Sequence, residues 1–203
     1  MSNAEQPSFV SVEEYFAAEE LATTKSEYID GWVRAMSGGN ARHSTIKVNT
    51  IVNISTQLRG KPCQAFDSDM KIRVRHDFST KFYYPDASVV CEQRDPTAVF
   101  QDHPVLLIEV LSKATRAIDL DEKLEAYLTI ASLQAYILFE QHKPMAIIMR
   151  RTENGFLRET AEELCVSIEL PLLDIQLPLS EIYAGVDFTA SIVNEPELSY
   201  EID

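Results

Sequence analysis

Cysteine is scarce in this chain: three among 203 residues, Cys63, Cys91 and Cys165. They are far apart and odd in number, and no Cys-x-x-Cys occurs, which argues against a disulfide framework and against a cysteine zinc site. Cys91 lies in an apolar, strand-like run and is expected in the core. Positive charge is also short: 18 Lys and Arg face 32 Asp and Glu, a formal net charge of −14. Phosphate binding is driven largely by Lys and Arg replacing counterions, so the chain as a whole repels nucleic acid and any such contact must be local. The opening MSNAEQPSFV has neither a basic region nor a long apolar stretch. No signal peptide, no membrane span and a reduced, cytoplasmic setting are therefore expected. Internal repeats and low-complexity segments are missing too. Gly38 and Gly39 are not a dinucleotide fingerprint, because no strand, Gly-x-Gly-x-x-Gly and helix surround them.

What is present suits a folded enzyme-sized unit. Hydrophobic residues make up 45% and charged residues 25% of the chain, and this length buries a sizeable core without disulfides. One domain over residues 8–190 is expected, with residues 1–7 and 191–203 as flexible tails. Val12 to Glu20 reads as a short helix, with Ser11 as N-cap and Glu14 at the capping-box position. Asp30-Gly31 between two apolar-containing runs predicts a hairpin, since Gly accepts positive φ in a tight turn. Ala41 to Arg59 has helical spacing and is stopped by Gly60 and Pro62. Asp69 to Arg75 alternates like a strand and puts Lys71, Arg73 and Arg75 on one face; the plain reading of that face is a solvated one. Asp86 to Cys91 and Val105 to Leu111 read as strands, the second apolar enough to be buried on both faces. Asp119 to Ala131 reads as a helix capped by Asp119, and Ala135 to Glu140 and Met145 to Arg150 as two further strands. The remainder is expected to be strand-poor, and frayed from Asn194. This order fits an α/β (α+β) fold, a central mixed sheet flanked by helices, with an N-terminal helix and hairpin.

Three local features carry chemistry. In YYPDASVVCE, Pro85 fixes the chain and Asp86 stands at a strand edge. In VLLIEVLSKATR, Glu109 interrupts an apolar run, and a buried carboxylate is costly unless paired, protonated or bound to a metal. In DLDEKLEAY, Asp119, Lys123 and Tyr127 fall at i, i+4 and i+8 on one side of a helix. Singly, these are a turn, a buried ion pair and a surface ion pair. Together, two hard oxygen ligands on neighbouring strands suit magnesium or manganese. A nearby lysine suits phosphoryl transfer, because it orients water and stabilises developing negative charge.

EYIDGWVRAMSGGNARH, SDMKIRV, YPDASVVC, LIEVLSKATRAIDLDEKLEAY and SLQAYILF, in this order, resemble the Uma-two family of restriction-endonuclease-like proteins, within the PD-(D/E)XK nuclease superfamily. The resemblance runs from about Ser11 to Gly185. It implies a restriction-endonuclease-like fold and a Mg- or Mn-dependent endodeoxyribonuclease. Asp86 and Glu109 match the acidic positions. The usual lysine two residues beyond the acid would fall at Leu111; the family places it on the following helix, where Lys123 stands. By the same resemblance Glu27 is a metal or water-network ligand, the Val110 carbonyl a further metal ligand, and His43 a contact to phosphate or to a carboxylate. The Ser-Pro-Ser common after the acidic strand is Ser112-Lys113-Ala114 here.

Three readings follow. In the first, a metal held by Asp86, Glu109 and Val110 serves hydrolysis of DNA, with Lys123 orienting the water. A homodimer is expected with it, because a duplex has two strands and two-fold pairs are the commonest assembly. In the second, Asp86, Glu109 and Lys123 are a buried ion-pair network in a non-catalytic binding or assembly module, which the charge of −14 favours. In the third, the substrate is a small phosphoester.

Overall fold

The computed structural model describes residues 9–36, 38–92 and 95–189. The two expected tails, residues 1–7 and 191–203, and with them the acidic segment from Asn194, lie outside the described residues. Helix α1 spans Val12–Leu21, and its capping box is complete: the Glu14 amide donates to Ser11 Oγ and the Ser11 amide to Glu14 Oε2. Strands β1 (Ser26–Ile29) and β2 (Trp32–Ala35) form the expected hairpin. Asp30 and Gly31 both take positive φ, 49° and 96°, as a two-residue turn of this hand requires. That turn sets Glu27 opposite Arg34. Helix α2 (Ala41–Gln57) is capped by Asn40, whose side chain accepts from the His43 amide at 2.9 Å.

The strands that follow are β3 (Gln64–Asp67), β4 (Lys71–His76), β5 (Ser79–Tyr83), β6 (Ala87–Val90), β7 (Phe100–Gln101) and β8 (Pro104–Val110). Helices α3 (Arg116–Leu120) and α4 (Glu122–Leu128) then lead to β9 (Ala135–Phe139), β10 (Met145–Thr152), β11 (Gly155–Glu162), β12 (Ser167–Leu170), β13 (Ile175–Pro178) and α5 (Leu179–Ile182). One mixed sheet has the order β2-β1-β5-β4-β7 and a second β11-β10-β9-β8-β6-β3, while β12 and β13 pair alone. The central pair β8–β9 is parallel, with α3 and α4 as its crossover.

Strand alternation on β8 positions the chemistry. Leu106, Ile108 and Val110 pack with Ile46 and Ile54 of α2. Leu107 and Leu111 pack with Ala126 and Tyr127 of α4. Glu109 shares the second parity, so period two alone aims it at α4. The first sheet closes over the same side: Ile72, Val74 and Tyr83 join the α4 cluster, whereas Tyr28 and Phe82 face α1.

Four expectations need correction. First, the segment Asp119 to Ala131 is not one helix capped by Asp119. The helix breaks at Asp121 (φ −118°, ψ −81°), and Asp119 lies inside α3 with its side chain buried. The Asp119 carbonyl accepts from the Tyr136 hydroxyl at 3.1 Å. Second, the C-terminal part is not strand-poor; β11, β12 and β13 lie there. Third, the face of Lys71, Arg73 and Arg75 is not simply solvated. Lys71 is buried, and Arg73 is forked onto Asp102 and stacked on Phe100.

Fourth, Cys63 and Cys91 form a disulfide. The register Gln64↔Val90 puts their positions opposite one another at the end of the β3–β6 pair, a juxtaposition that chain spacing does not disclose. Closing a loop with a sequence separation of 28 removes unfolded-state entropy worth about 3–4 kcal/mol. Reductant is therefore expected to lower the denaturation midpoint of the wild type and to leave Cys63→Ser/Cys91→Ser unmoved. Equal midpoints for the wild type with and without reductant would show that the bond does not form in solution.

Candidate active site

Lys123 sits at the centre of a buried acidic cluster. Its Nζ lies 2.9 Å from Glu109 Oε1, 3.0 Å from Glu27 Oε1 and 3.4 Å from Asp119 Oδ1. These four side chains come from α4, β8, β1 and α3, and each is at most 6% exposed. The Tyr127 hydroxyl donates to Glu109 Oε1 at 3.4 Å. The i, i+4, i+8 relation of Asp119, Lys123 and Tyr127 thus survives the break at Asp121.

Asp86 forms the rim. It follows Pro85 in the link between β5 and β6, and its side chain is 13% exposed. Its amide donates to Glu109 Oε2 at 3.2 Å, and its own Oδ2 accepts from the Val110 amide at 2.8 Å. His43 Nε2 lies 3.1 Å from the same Oδ2. Asp86 and Glu109 are thereby locked together through each other's strands. Glu27, His43, Asp86, Glu109, Asp119, Lys123 and Tyr127 all meet in this one assembly, and Val110 joins it through its amide.

The electrostatics follow from burial and from surplus negative charge. Burial pushes the Glu109 carboxyl well above the usual range, helped by Asp119 and Asp86 and opposed by Lys123. Asp119 is also raised, again chiefly by burial. Burial opposes the charged form of Lys123, but Glu109, Glu27 and Asp119 outweigh it and hold the ammonium well above its ordinary pKa. Three carboxylates around one ammonium leave the cluster short of positive charge.

Three participants escaped the sequence reading. Arg34 donates to Glu27 Oε2 at 2.7 Å and, in a fork, to both oxygens of Glu122 at 3.0 Å. The Tyr83 hydroxyl donates to Glu122 Oε1 at 2.9 Å. A signal for Arg34 was present: a two-residue turn at Asp30-Gly31 pairs residue 27 with residue 34.

The side chains that could hold a divalent metal are Asp86 and Glu109. Asp86 and Glu109 offer hard carboxylate oxygens in a pocket with excess negative charge. Asp119 Oδ1 is buried, with Lys123 Nζ 3.4 Å away as its ion-pair partner. Among the described residues no three His, Cys, Asp or Glu side chains form a ready-made cage.

The fold and the site together define a restriction-endonuclease-like architecture. A crystal structure described as a "putative nuclease belonging to DUF820" from Anabaena variabilis ATCC 29413 superposes with a TM-score of 0.71 at 17% identity, covering 86% of this chain and 97% of that one. At that identity the likeness speaks for the fold. The chain belongs to the Uma2 family, described as "Putative restriction endonuclease", which matches residues 12–180. Two relatives come from Synechocystis sp. (strain PCC 6803). "Uncharacterized protein slr1290" is 31% identical over 88% of this chain and 94% of its own length. "Uncharacterized protein sll1609" is 32% identical over 63% of this chain and 73% of its own length. Among the described residues no helix is long and apolar enough to cross a membrane.

Proposed function

We propose that this chain is a metal-dependent endonuclease that hydrolyses phosphodiester bonds of DNA, with magnesium or manganese as cofactor. The observation that carries the reading is the Glu27, Asp86, Glu109, Asp119 and Lys123 assembly, a charge-deficient cluster whose rim is reached at Asp86 and His43. We take residues 8–190 as the functional unit, acting as a homodimer on the two strands of a duplex in the cytoplasm.

Asp86 and Glu109, with Glu27 and the Val110 carbonyl as further oxygen donors, would hold a divalent ion, whose chemistry there would be Lewis-acid charge on the phosphoryl group and a lowered pKa for water. The protein's own groups do the rest. The Val110 amide and His43 hold Asp86 Oδ2, which fixes the carboxylate's rotamer. Tyr127 and Lys123 hold Glu109 Oε1. Asp119 and Glu27 keep Lys123 protonated, so its ammonium faces the developing negative charge of the phosphoryl oxygens. Burial keeps bulk water from screening that charge.

One reading competes on a specific observation: Lys123 is already fully ion-paired in a protein of net charge −14, as in a structural network of a binding module. Supercoiled plasmid separates the two. The nuclease reading expects nicking in manganese or magnesium and none in chelator. Intact plasmid, single strand and RNA after incubation with metal-loaded, folded protein would sink it.

His43 gives a sharper test of geometry. A Cβ on Gly39 would lie 2.6 Å from His43 Nδ1, closer than real contacts allow, so Gly39→Ala must shift the imidazole or the exposed segment 38–40 against it. Misplacing a positioning group by about 1 Å costs up to ~100-fold in rate. Gly39→Ala is expected to slow nicking about 10- to 100-fold, and no further when combined with His43→Ala. Full activity in Gly39→Ala would remove His43 from the mechanism.

A further inference from the structure

Three lysines remote in sequence converge beside the site, and the mechanism uses none of them. Lys25 Nζ donates to the Ser68 carbonyl at 2.8 Å and pairs with Asp69. Lys47 Nζ, from α2, donates to Ser68 Oγ at 3.2 Å. Lys71 Nζ, from β4, lies 4.9 Å from the Tyr84 ring centre, and Lys25 Nζ lies 5.4 Å from the same ring. Lys71 is neutralised by Glu19 at 3.5 Å. Lys25 and Lys47 act together on the exposed Asp69, whose carboxyl they hold low, Lys25 most strongly.

Two routes place this patch next to Asp86. Tyr84 is two residues away, at most about 7 Å along an extended chain. Lys47 lies one helical turn beyond His43, about 6 Å along the axis, and His43 touches Asp86. A cavity of about 740 Å³ opens alongside, lined by Lys25, Lys71, Tyr84, Thr23, Thr24 and Glu19 among others.

We propose that this groove is the subsite for the sugar–phosphate backbone of the nucleic-acid strand leading away from the phosphodiester at Asp86. A chain of net charge −14 cannot draw in a polyanion by its overall field, so local cations must do it. In the free protein the Ser68–Asp69 turn stands where phosphate goes: it holds both ammonium groups through a carbonyl, a hydroxyl and a carboxylate. The Asp69 side chain is 77% exposed, so it swings away without disturbing the core. Thr23 and Thr24 add hydroxyls that donate to phosphate oxygens. The strand's path to Asp86 rests on the nuclease reading; the binding itself does not.

The test is fluorescence anisotropy of a short labelled duplex and its single strand against the full chain in calcium, over a range of salt, with magnesium-driven cleavage followed on the same samples. Lys25→Gln/Lys47→Gln is expected to weaken binding roughly tenfold and to flatten the log–log salt slope by about 1.8 on duplex or about 1.4 on single strand, for two lost phosphate contacts. Asp69→Asn is expected to tighten binding, because it removes the competing carboxylate. If the lysines only clamp the turn, the double variant keeps wild-type affinity and slope, Asp69→Asn gains nothing, and the subsite is refuted. Lysine-dependent binding without any cutting keeps the subsite and sinks the nuclease. Cutting with lysine-independent binding does the reverse, and a wild type that binds neither probe sinks both.

Discussion

Glu109→Gln is expected to lose about 10³-fold or more in nicking rate while its stability falls by only about 1–2 kcal/mol. The amide keeps the shape of the carboxylate. Its one carbonyl oxygen still accepts from Lys123 Nζ, the bond Glu109 makes at 2.9 Å, while its NH2 takes the place of the oxygen that accepts from the Asp86 amide at 3.2 Å, so that single bond is lost. What it removes is one negative charge from a buried cluster in which burial, Asp119 and Asp86 already push that charge towards protonation. Folding therefore loses one hydrogen bond and little more. A metal ligand, by contrast, cannot be replaced by a neutral amide without losing most of its affinity for a hard cation. Nicking and urea denaturation on the same preparation check both halves. A variant that nicks normally, or one that is intact in mechanism but several kcal/mol less stable, would make Glu109 a structural partner of Lys123.

Lys123→Met is expected to do the opposite to stability. Taking away the ammonium leaves Glu27, Glu109 and Asp119 facing one another without their shared cation. Breaking a buried pair in this way costs about 3–5 kcal/mol. The cost depends on pH, with a definite sign. Glu109 and Asp119 already titrate above their ordinary values because of burial, with Lys123 opposing that rise. Without Lys123 both rise further. The folded variant then holds protons that the unfolded chain has released, so its stability falls as pH increases from the unfolded carboxylate range near 4 towards the folded pKa values. The wild-type ammonium, raised well above 10.5, gives its full stabilisation throughout that window. The gap between wild type and Lys123→Met in urea midpoint is therefore expected to be wider at pH 8 than at pH 5. A gap that is constant or narrows would mean that the three carboxylates are not held together by this lysine.

The buried cluster around Lys123 was legible because its signals are local. A single acid inside the apolar run of β8 had to be compensated, and Lys123 lay on the same helical side as Asp119 and Tyr127. Family resemblance added Glu27 and His43, which come from a different sheet and from α2 and share no local pattern with Glu109. What stayed hidden depends on tertiary pairing. The Cys63–Cys91 bond needs the β3–β6 register. The Arg34–Glu122 fork joins residues 88 apart. Strand β11, GFLRETAE, is an edge strand with most of its residues exposed or half-exposed, so it shows no apolar period. Strands β12 and β13 have four residues each. They are separated by Pro171 and by Asp174, a non-glycine residue at φ 50°, and so read as punctuation. Lys71 looked like solvated charge because its aromatic neighbour Tyr84 belongs to another segment.

The central claim is that Asp86 and Glu109 together hold a divalent cation. Calorimetric titration of manganese into wild type, Asp86→Asn and Glu109→Gln tests it most directly, because it reads the metal without waiting for cleavage. The account predicts binding by the wild type and its loss in both variants, each of which remains folded. Wild type that takes up no metal at millimolar concentration, with the substitutions changing stability alone, would contradict it and leave the cluster as a structural ion network.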